Sequence, residues 1–187
     1  MSATSLNFSD DSDRLGTSFA STLGTGVPTP DGPSVAAAAA LVRRVAADPT
    51  RWRDLVRYGQ GAERWYARLD VDPEHEVWLI SWLPGQETGL HDHGEALGAF
   101  AVIQGALTET TLAPDVVPGT VRRVRRRFAA GQVRGFGYEH IHDVGNADGQ
   151  PAISVHAYAP SLTAMTRYSL AENRLTIVSS DRAGVDW

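Results

Sequence analysis

The spacing of hydrophobic and polar positions changes once along this chain. Residues 34–58 show the apolar, alanine-rich pattern of helices, with Ser34 placed to cap the first helix and Asp48-Pro49 to end it. Thr50 is placed to cap a second, short helix. Over residues 64–187, short runs rich in β-branched and aromatic residues alternate with Gly, Pro and Asp turns. The pattern predicts a short N-terminal helical layer followed by a body of β-strands.

Eleven runs in this body have the length and composition of strands. They cover residues 64–70, 76–83, 88–93, 98–104, 106–112, 121–128, 134–138, 141–145, 152–159, 164–170 and 174–179. Many short strands separated by turn residues indicate an antiparallel sandwich or barrel rather than alternating strands and helices. The predicted fold class is therefore mainly β.

Residues 1–33 differ in composition from the rest of the chain. They are rich in Ser, Thr, Gly, Asp and Pro, which predicts a polar, partly disordered leader ahead of a single domain over 34–187. The chain lacks the basic and apolar segments of a signal peptide, and no apolar run has the length of a membrane span. We therefore expect a cytoplasmic monomer without a membrane partner.

Composition excludes several kinds of chemistry. The chain has no cysteine, which rules out disulfides, thiolate metal ligands and a cysteine nucleophile. It has no lysine either, so Schiff-base catalysis is excluded. The net charge of -5 argues against nucleic acid as a partner. The basic run Arg122–Arg127 is therefore interpreted as a solvated strand, or as arginines that pair with nearby carboxylates.

Two histidine-containing segments are candidates for metal chemistry. His91 and His93 stand one residue apart, and on a strand their imidazoles would share a face and form half of a site for a divalent metal. The alternative is a pair of surface histidines beside a turn, which is the commoner case for an isolated pair. A second segment, residues 131–146, carries His140 and His142 among glycines.

The two segments have the spacing of the paired motifs of the cupin superfamily. They read Gly85-x5-His91-x-His93-x4-Gly98-x6-Gly105 and Gly131-x5-Gly137-x-Glu139-x2-His142-x3-Asn146. The resemblance implies a cupin-type antiparallel β-barrel or jelly roll in which His91, His93 and His142 are the metal ligands. The glutamate of the first motif is replaced by Gly98, and Glu95 is out of register. Three neutral imidazoles are left, with coordination positions open on the opposite side.

A third pattern narrows the resemblance from the cupin superfamily to one of its families. The segment 154–158 places Ser154, His156 and Tyr158 on one face of a predicted strand. Together with three-histidine ligation, this pattern resembles the cysteine dioxygenase family of thiol dioxygenases. At the position where animal members carry a cysteine, this chain has Gly98. Bacterial members commonly have glycine there. The resemblance implies Fe(2+) as the cofactor and Ser154, His156 and Tyr158 as a hydrogen-bonded catalytic relay.

The resemblance also implies a substrate site and a reaction. Arg68, with Tyr66 beside it, is expected to bind the substrate carboxylate, although Arg68 could instead pair with Asp70 or Glu76. The expected reaction is oxidation of the thiol of L-cysteine by O₂ to cysteine sulfinic acid.

Three alternatives remain open for the function. They are a dioxygenase for 3-mercaptopropionate or another small thiol, a metal-dependent cupin isomerase or sugar-modifying enzyme, and a non-catalytic cupin sensor. His140 is interpreted as lying behind the ligands or exposed to solvent, and Asn146 as a turn residue.

Overall fold

A computed structural model describes residues 32–183 of the chain. The predicted leader therefore lies outside the described residues, except for its last two positions. Helix α1 spans Val35–Ala46, and the side chain of Ser34 accepts a hydrogen bond from the backbone N–H of Ala37 at 3.1 Å. The predicted start of the first helix is thus confirmed. Among the described residues, no helix is long and apolar enough to cross a membrane.

The predicted second α-helix is wrong, because the segment after α1 forms two short 3₁₀ turns. These turns are Pro49–Arg51 and Arg53–Leu55. Trp52 separates them with φ −140° and ψ −25°, outside helical geometry, so the helix cannot continue. Asp48, and not Thr50, is the cap, since its carboxylate accepts the Thr50 N–H at 3.1 Å. Trp52 still packs against the hydrophobic core.

Ten strands follow within the described part of the chain. They are β1 Trp65–Val71, β2 Glu76–Trp82, β3 Leu97–Gln104, β4 Ala106–Pro114, β5 Val121–Ala129, β6 Val133–Phe136, β7 His142–Gly145, β8 Ala152–Ala159, β9 Ala164–Ala171 and β10 Arg174–Arg182. They form a five-stranded sheet in the order β1-β2-β8-β3-β6, a three-stranded sheet β5-β4-β7 and a hairpin β10-β9, with antiparallel pairing. The mainly β, antiparallel fold predicted from the sequence is confirmed.

The remaining predicted strand, 88–93, is wrong, because this segment is extended but irregularly paired. On one side His91 and His142 exchange both backbone hydrogen bonds, at 2.9 and 3.0 Å. On the other side the N–H of Tyr168, in β9, donates to the carbonyl of Leu90 at 2.8 Å. Gly89 interrupts the strand with φ 71°, in the left-handed region that glycine adopts readily. The segment thus joins β7 to β9.

Both faces of the central strands β2, β8 and β3 of the five-stranded sheet are largely buried. Helix α1 covers the outer face, where Val42 and Val45 pack with Leu79 and Val155. On the inner face, Phe100 of β3 packs in one cluster with residues of the three-stranded sheet, including Leu107, Phe128 and Val144. Because both faces are buried, β8 is a nearly continuous apolar run. Its three polar side chains, Ser154, His156 and Tyr158, contact inner-face residues.

The arginine-rich run lies on β5, an edge strand of the three-stranded sheet. Its arginines are exposed, and Arg127 pairs with Asp148 at 2.5 Å between Nη2 and Oδ2. The interpretation of this run as a solvated strand is therefore confirmed.

Candidate metal centre

Three buried histidines meet between the two sheets. One ring nitrogen from each of His91, His93 and His142 lies within 4.8 Å of the others, and each side chain is 4% exposed or less. His91 and His93 come from the extended segment before β3, and His142 opens β7. The backbone bonds between His91 and His142 hold two of the three in register. The sequence prediction that these three residues converge is therefore confirmed, although two of them do not lie on a regular strand.

Two of the three imidazoles are oriented by hydrogen-bond partners at Nδ1. His91 Nδ1 lies 2.9 Å from the carbonyl oxygen of Gly89, and His142 Nδ1 lies 2.9 Å from Oε1 of Glu109. Because both partners accept hydrogen bonds, Nδ1 carries the proton in each ring. The Nε2 lone pairs of His91 and His142 are then available to a metal.

His93 supplies the observation that tests whether the group fits a metal. Both of its ring nitrogens are buried and have no hydrogen-bond partner among the described residues. The ring lies between Phe136 and Tyr158, with both centroid distances 4.9 Å. A buried polar atom without a partner is costly, and a metal bound by the imidazole satisfies one of the two. Three imidazoles on one side suit a divalent transition ion with open coordination positions.

The protonation states suit this role. Burial lowers the pKa of His91 and His93 well below 6.5, and the neighbouring histidines lower both further. Burial also lowers the pKa of His142, although the carboxylate of Glu109 opposes that shift. All three rings are therefore neutral near pH 7, which is the form that binds a metal.

Glu109 is a buried carboxylate behind the metal group, and the sequence analysis missed it. Its Oε1 accepts hydrogen bonds from His142 and from His140, each at 2.9 Å, and its Oε2 accepts one from Arg134 Nε at 2.8 Å. Burial alone raises the pKa of Glu109, but these hydrogen bonds hold it well below its usual range. His140 thus lies behind the ligands, one of the two positions expected for it. The sequence did contain a signal for Glu109. It lies two residues after Leu107 on β4, so its side chain shares the inward face of that strand.

Ser154, His156 and Tyr158 lie on one face, as predicted. Trp82 Nε1 donates to Ser154 Oγ at 2.9 Å, so the serine can donate its own proton to His156 Nε2, also at 2.9 Å. Burial lowers the pKa of His156 to about 3, so this ring is neutral. The predicted hydrogen-bonded relay does not extend to Tyr158, because no hydrogen bond joins it to His156 and the two ring centroids are 6.4 Å apart. The sequence analysis did not identify Trp82 as a member of this chain of contacts.

Tyr158 connects the metal group to a cavity. Its ring packs on His93, and its side chain lines a cavity of about 180 Å³ that His91 also lines. Burial raises the pKa of Tyr158 above its usual range, so the hydroxyl stays protonated and can donate a hydrogen bond. The other residues that line the cavity are Arg64, Tyr66, Trp78, Ile80, Thr88, Leu162, Met165 and Arg167.

Arg64, and not the predicted Arg68, is the β1-side arginine that lines this cavity. Arg68 lies farther along β1, exposed, with its guanidinium 5.5 Å from the Trp78 ring centroid. Arg68 is four positions after Arg64, which corresponds to about 13 Å along an extended chain. Tyr66, between them, lines the cavity as expected. The sequence did contain a signal for Arg64. Residues 64, 66 and 68 are spaced two apart, so on an extended chain their side chains share one face.

The Arg64 side chain is half-buried and faces the cavity without a counter-ion. Its guanidinium lies 5.1 Å from the centroid of the Trp82 ring, and no carboxylate of the described residues lies within ion-pair distance of it. Burial lowers its pKa, but an arginine remains charged near pH 7. The cavity next to the three histidines is therefore suited to an anionic group.

Asn146 is a turn residue, as predicted. Its Nδ2 donates to the carbonyls of Trp82 and Gln150 at 3.1 and 2.8 Å, and its Oδ1 accepts the N–H of Asp148 at 3.0 Å. Because its amide is used in these bonds, Asn146 stabilises the loop after β7 and does not join the metal group.

Comparison with known proteins adds three kinds of similarity. The family model for cysteine dioxygenase type I matches residues 32–171. The chain is 24% identical over 158 residues to cysteine dioxygenase type 1 from Homo sapiens and from Pongo abelii, covering 78% of this chain and 76% of each relative. Among solved structures, a protein from Thermus thermophilus is 18% identical with a TM-score of 0.48, covering 58% of this chain and 93% of that chain. A double-stranded β-helix protein from Klebsiella pneumoniae is 20% identical with a TM-score of 0.46, covering 68% and 93%.

Proposed function

The chain belongs to the cysteine dioxygenase type I family, and from that premise we propose that it is a bacterial-type, iron(II)-dependent dioxygenase of L-cysteine. Family membership and the three-histidine group together support thiol dioxygenase activity. The reaction is R–SH + O₂ → R–SO₂⁻ + H⁺, in which sulfur loses four electrons and both oxygen atoms enter the sulfinate. The cytoplasmic location and monomeric state expected from the sequence remain predictions.

Iron held by His91, His93 and His142 would supply the redox chemistry between the thiolate and O₂. The histidines are neutral, so the full charge of the ion remains to attract the thiolate. Glu109, Gly89 and the packing around His93 fix the directions of the three imidazoles. The protein thereby contributes a prearranged ligand set on one side and an accessible cavity on the other.

Arg64 is the residue that we propose to bind the substrate carboxylate. The observation that carries this proposal is the guanidinium beside the three histidines, which has no counter-ion among the described residues. A guanidinium holds a carboxylate through two parallel hydrogen bonds, which fixes the orientation of the molecule as well as its position. The role first assigned to Arg68 therefore passes to Arg64, with Tyr66 beside it at the cavity wall.

Tyr158 is proposed to donate a hydrogen bond to the substrate. Its hydroxyl stays protonated, and its ring is held against His93. His156 and Ser154 act as positioning residues, since Trp82 and Ser154 fix the imidazole on the same strand face.

A second candidate is oxidation of 3-mercaptopropionate. The observation that favours it is the charge of the cavity wall, which among the described residues contains two arginines and no carboxylate to bind an ammonium group. Both candidate substrates offer a thiol and a carboxylate at similar spacing. They differ in the amino group, which in L-cysteine would occupy a coordination position left open by the three histidines.

The experiment is anaerobic iron loading followed by O₂ uptake with L-cysteine and with 3-mercaptopropionate, with products identified by mass spectrometry. Cysteine sulfinate formation that is lost in His142→Ala and retained in His75→Ala, in the turn before β2, is the expected result. Faster turnover of 3-mercaptopropionate than of L-cysteine would support the proposed reaction and contradict L-cysteine as the substrate. No O₂ uptake with either thiol, from protein shown to contain iron, would contradict the proposal.

A further inference from the structure

His93 is the member of the metal group whose orientation is not explained by hydrogen bonds of its own ring. His91 and His142 each have a partner at Nδ1, whereas neither ring nitrogen of His93 has one among the described residues. Phe136 and Tyr158 pack against the ring and limit its tilt, but they supply no hydrogen bond to it. The position of this imidazole therefore depends on the main chain on either side of His93.

Asp92, the residue between His91 and His93, shapes that main chain. On an extended segment its side chain points away from the face that the two histidines share. Its Oδ1 accepts the N–H of Gly94 at 3.0 Å, which closes an Asx turn around His93. Gly94 has φ 57°, in the left-handed region, so the chain turns directly after the ligand. The Asx turn therefore restrains the peptide groups on both sides of the His93 side chain.

The same carboxylate anchors the Asx turn to β9. Oδ1 of Asp92 also accepts the N–H of Thr166 at 3.0 Å, and Oδ2 accepts the hydroxyl of Tyr168 at 2.6 Å. The N–H of Asp92 donates to the Thr166 carbonyl at 2.9 Å. The distance to Tyr168 is that of a strong hydrogen bond between a hydroxyl and a carboxylate. Two N–H groups and one hydroxyl thus hold this half-buried carboxylate in a single orientation.

We propose that Asp92 is a positioning residue for His93, and that its Asx turn, anchored on Thr166 and Tyr168, sets the direction from which this imidazole reaches the metal. The inference rests on the metal binding in the proposed function and deepens it. Asp92 is not among the residues that line the cavity, so it acts through the main chain of His93 and not on the substrate. Loss of the turn lets the peptide groups of His93 take other directions, which weakens metal binding and changes the ligand geometry.

Cobalt(II) is the probe, because its visible absorption bands depend on the number and geometry of its ligands. Asp92→Ala removes every hydrogen bond that the carboxylate accepts from Gly94, Thr166 and Tyr168. We expect its affinity for Co(II), measured by competition with a chelator, to fall about 10- to 100-fold, and the bands per bound ion to shift. Asp92→Asn keeps an oxygen that can close the same turn, so its affinity should stay within about threefold of wild type.

Tyr168→Phe and Ser169→Ala are a matched pair in the hairpin of β9 and β10. Tyr168→Phe removes only the hydroxyl that Asp92 accepts, and we expect the affinity for Co(II) to fall about 3- to 10-fold, with a smaller shift of the same bands. Ser169→Ala removes an exposed hydrogen bond to Thr176 in the same hairpin, so it should change neither the affinity nor the spectrum. Tyr168→Phe is the milder change and also tests the inference if Asp92→Ala does not fold.

A purely structural role of Asp92 predicts a different result. Asp92→Ala would then lower the free energy of unfolding of the metal-free protein, but its folded fraction would bind Co(II) with the affinity and spectrum of wild type. That result, or a wild-type affinity and spectrum in Tyr168→Phe, would overturn the inference and leave the dioxygenase proposal intact. The expected changes in Co(II) binding, together with no O₂ uptake by the iron-loaded wild-type protein, would support the inference and contradict the dioxygenase.

Discussion

Glu109 Oε1 and His142 Nδ1 are 2.9 Å apart, and both side chains are 2% exposed. The pair follows from the register of two antiparallel strands, because Thr111 of β4 lies opposite His142 of β7 and Glu109 lies two residues away on the same face. Arg134, from β6 in the other sheet, donates to the same carboxylate. Glu109 thus fixes the tautomer of a metal ligand and links the two sheets behind the metal group.

Replacing this carboxylate should weaken metal binding. In Glu109→Gln the anion that orients His142 is lost, and we expect the affinity for iron(II) or zinc to fall about 10- to 100-fold. Competition with a chelator measures this directly on the folded protein. Glu95→Gln, in the exposed loop after His93, is the control and should leave the affinity unchanged. Equal affinities of Glu109→Gln and wild type would show that the tautomer is fixed by other means.

Arg64 and Arg68 allow a paired test of the carboxylate site. Arg64→Gln should lower kcat/KM for a thiol carboxylate about 10- to 100-fold, because a charge-assisted bidentate contact is lost. Arg68→Gln, outside the cavity lining, should change it by less than about twofold. The measurement is O₂ uptake with 3-mercaptopropionate.

Cysteamine, a thiol without a carboxylate, provides the internal control for this pair. The two variants should use cysteamine equally well if Arg64 acts on the carboxylate. A larger effect of Arg68→Gln with 3-mercaptopropionate would restore the residue predicted from the sequence.

Tyr158→Phe should lower kcat and leave metal content unchanged. The phenyl ring can keep the packing against His93, while the hydrogen bond from the hydroxyl is lost. We expect a fall in kcat of about 100-fold with a smaller change in KM, the range for one hydrogen-bond donor in an active site. Steady-state kinetics and metal analysis of the same preparation check both parts. An unchanged kcat would mean that Tyr158 has no more than a packing role.

The ligand set and the polar face of β8 could be predicted because each depends on local spacing. His91 and His93 converge through a short extended segment, and Ser154, His156 and Tyr158 share a face through the two-residue period of a strand. In these regions the structure differs from the prediction only in the backbone conformation. Gly89 turns the chain into the left-handed region just before His91, which breaks the predicted strand without separating the ligands.

The cavity wall could not be predicted in the same way, because it depends on contacts between distant residues. Arg64 lies just before β1 and Arg68 lies within it, four positions later. The pairing of β1 with β2 places Arg68 opposite Trp78, while Arg64 lines the cavity with His91. Glu109 lies 33 residues from His142 in sequence. Arg167 belongs to a hairpin joined to the site through the backbone of His91. Register and packing between separate segments decide these positions.

Gly98 should not tolerate a side chain. A Cβ at this position would lie 2.7 Å from both the carbonyl oxygen of Ala157 and the ring of Phe136. Gly98→Ala is therefore expected to lower the free energy of unfolding by about 1–3 kcal/mol, measured by urea denaturation. Gly149→Ala is the matched control, since a Cβ there meets nothing within 4 Å. Equal stability of Gly98→Ala and wild type would show that β8 and Phe136 can move apart.

His156 should make the stability of the metal-free protein depend on pH. Its pKa is lowered to about 3 by burial, against 6.5 for an unfolded chain, so between these values the unfolded state binds the extra proton. Stability is then fully present above about pH 6.5 and falls as the pH decreases, by up to about 1.4 kcal/mol per pH unit from this residue. His156→Gln should reduce the slope of the unfolding free energy between about pH 4.5 and 6 by close to one proton. Ser154→Ala, which removes the hydrogen bond but keeps the imidazole, should retain the wild-type slope, and an unchanged slope in His156→Gln would mean that this ring is protonated in the folded protein.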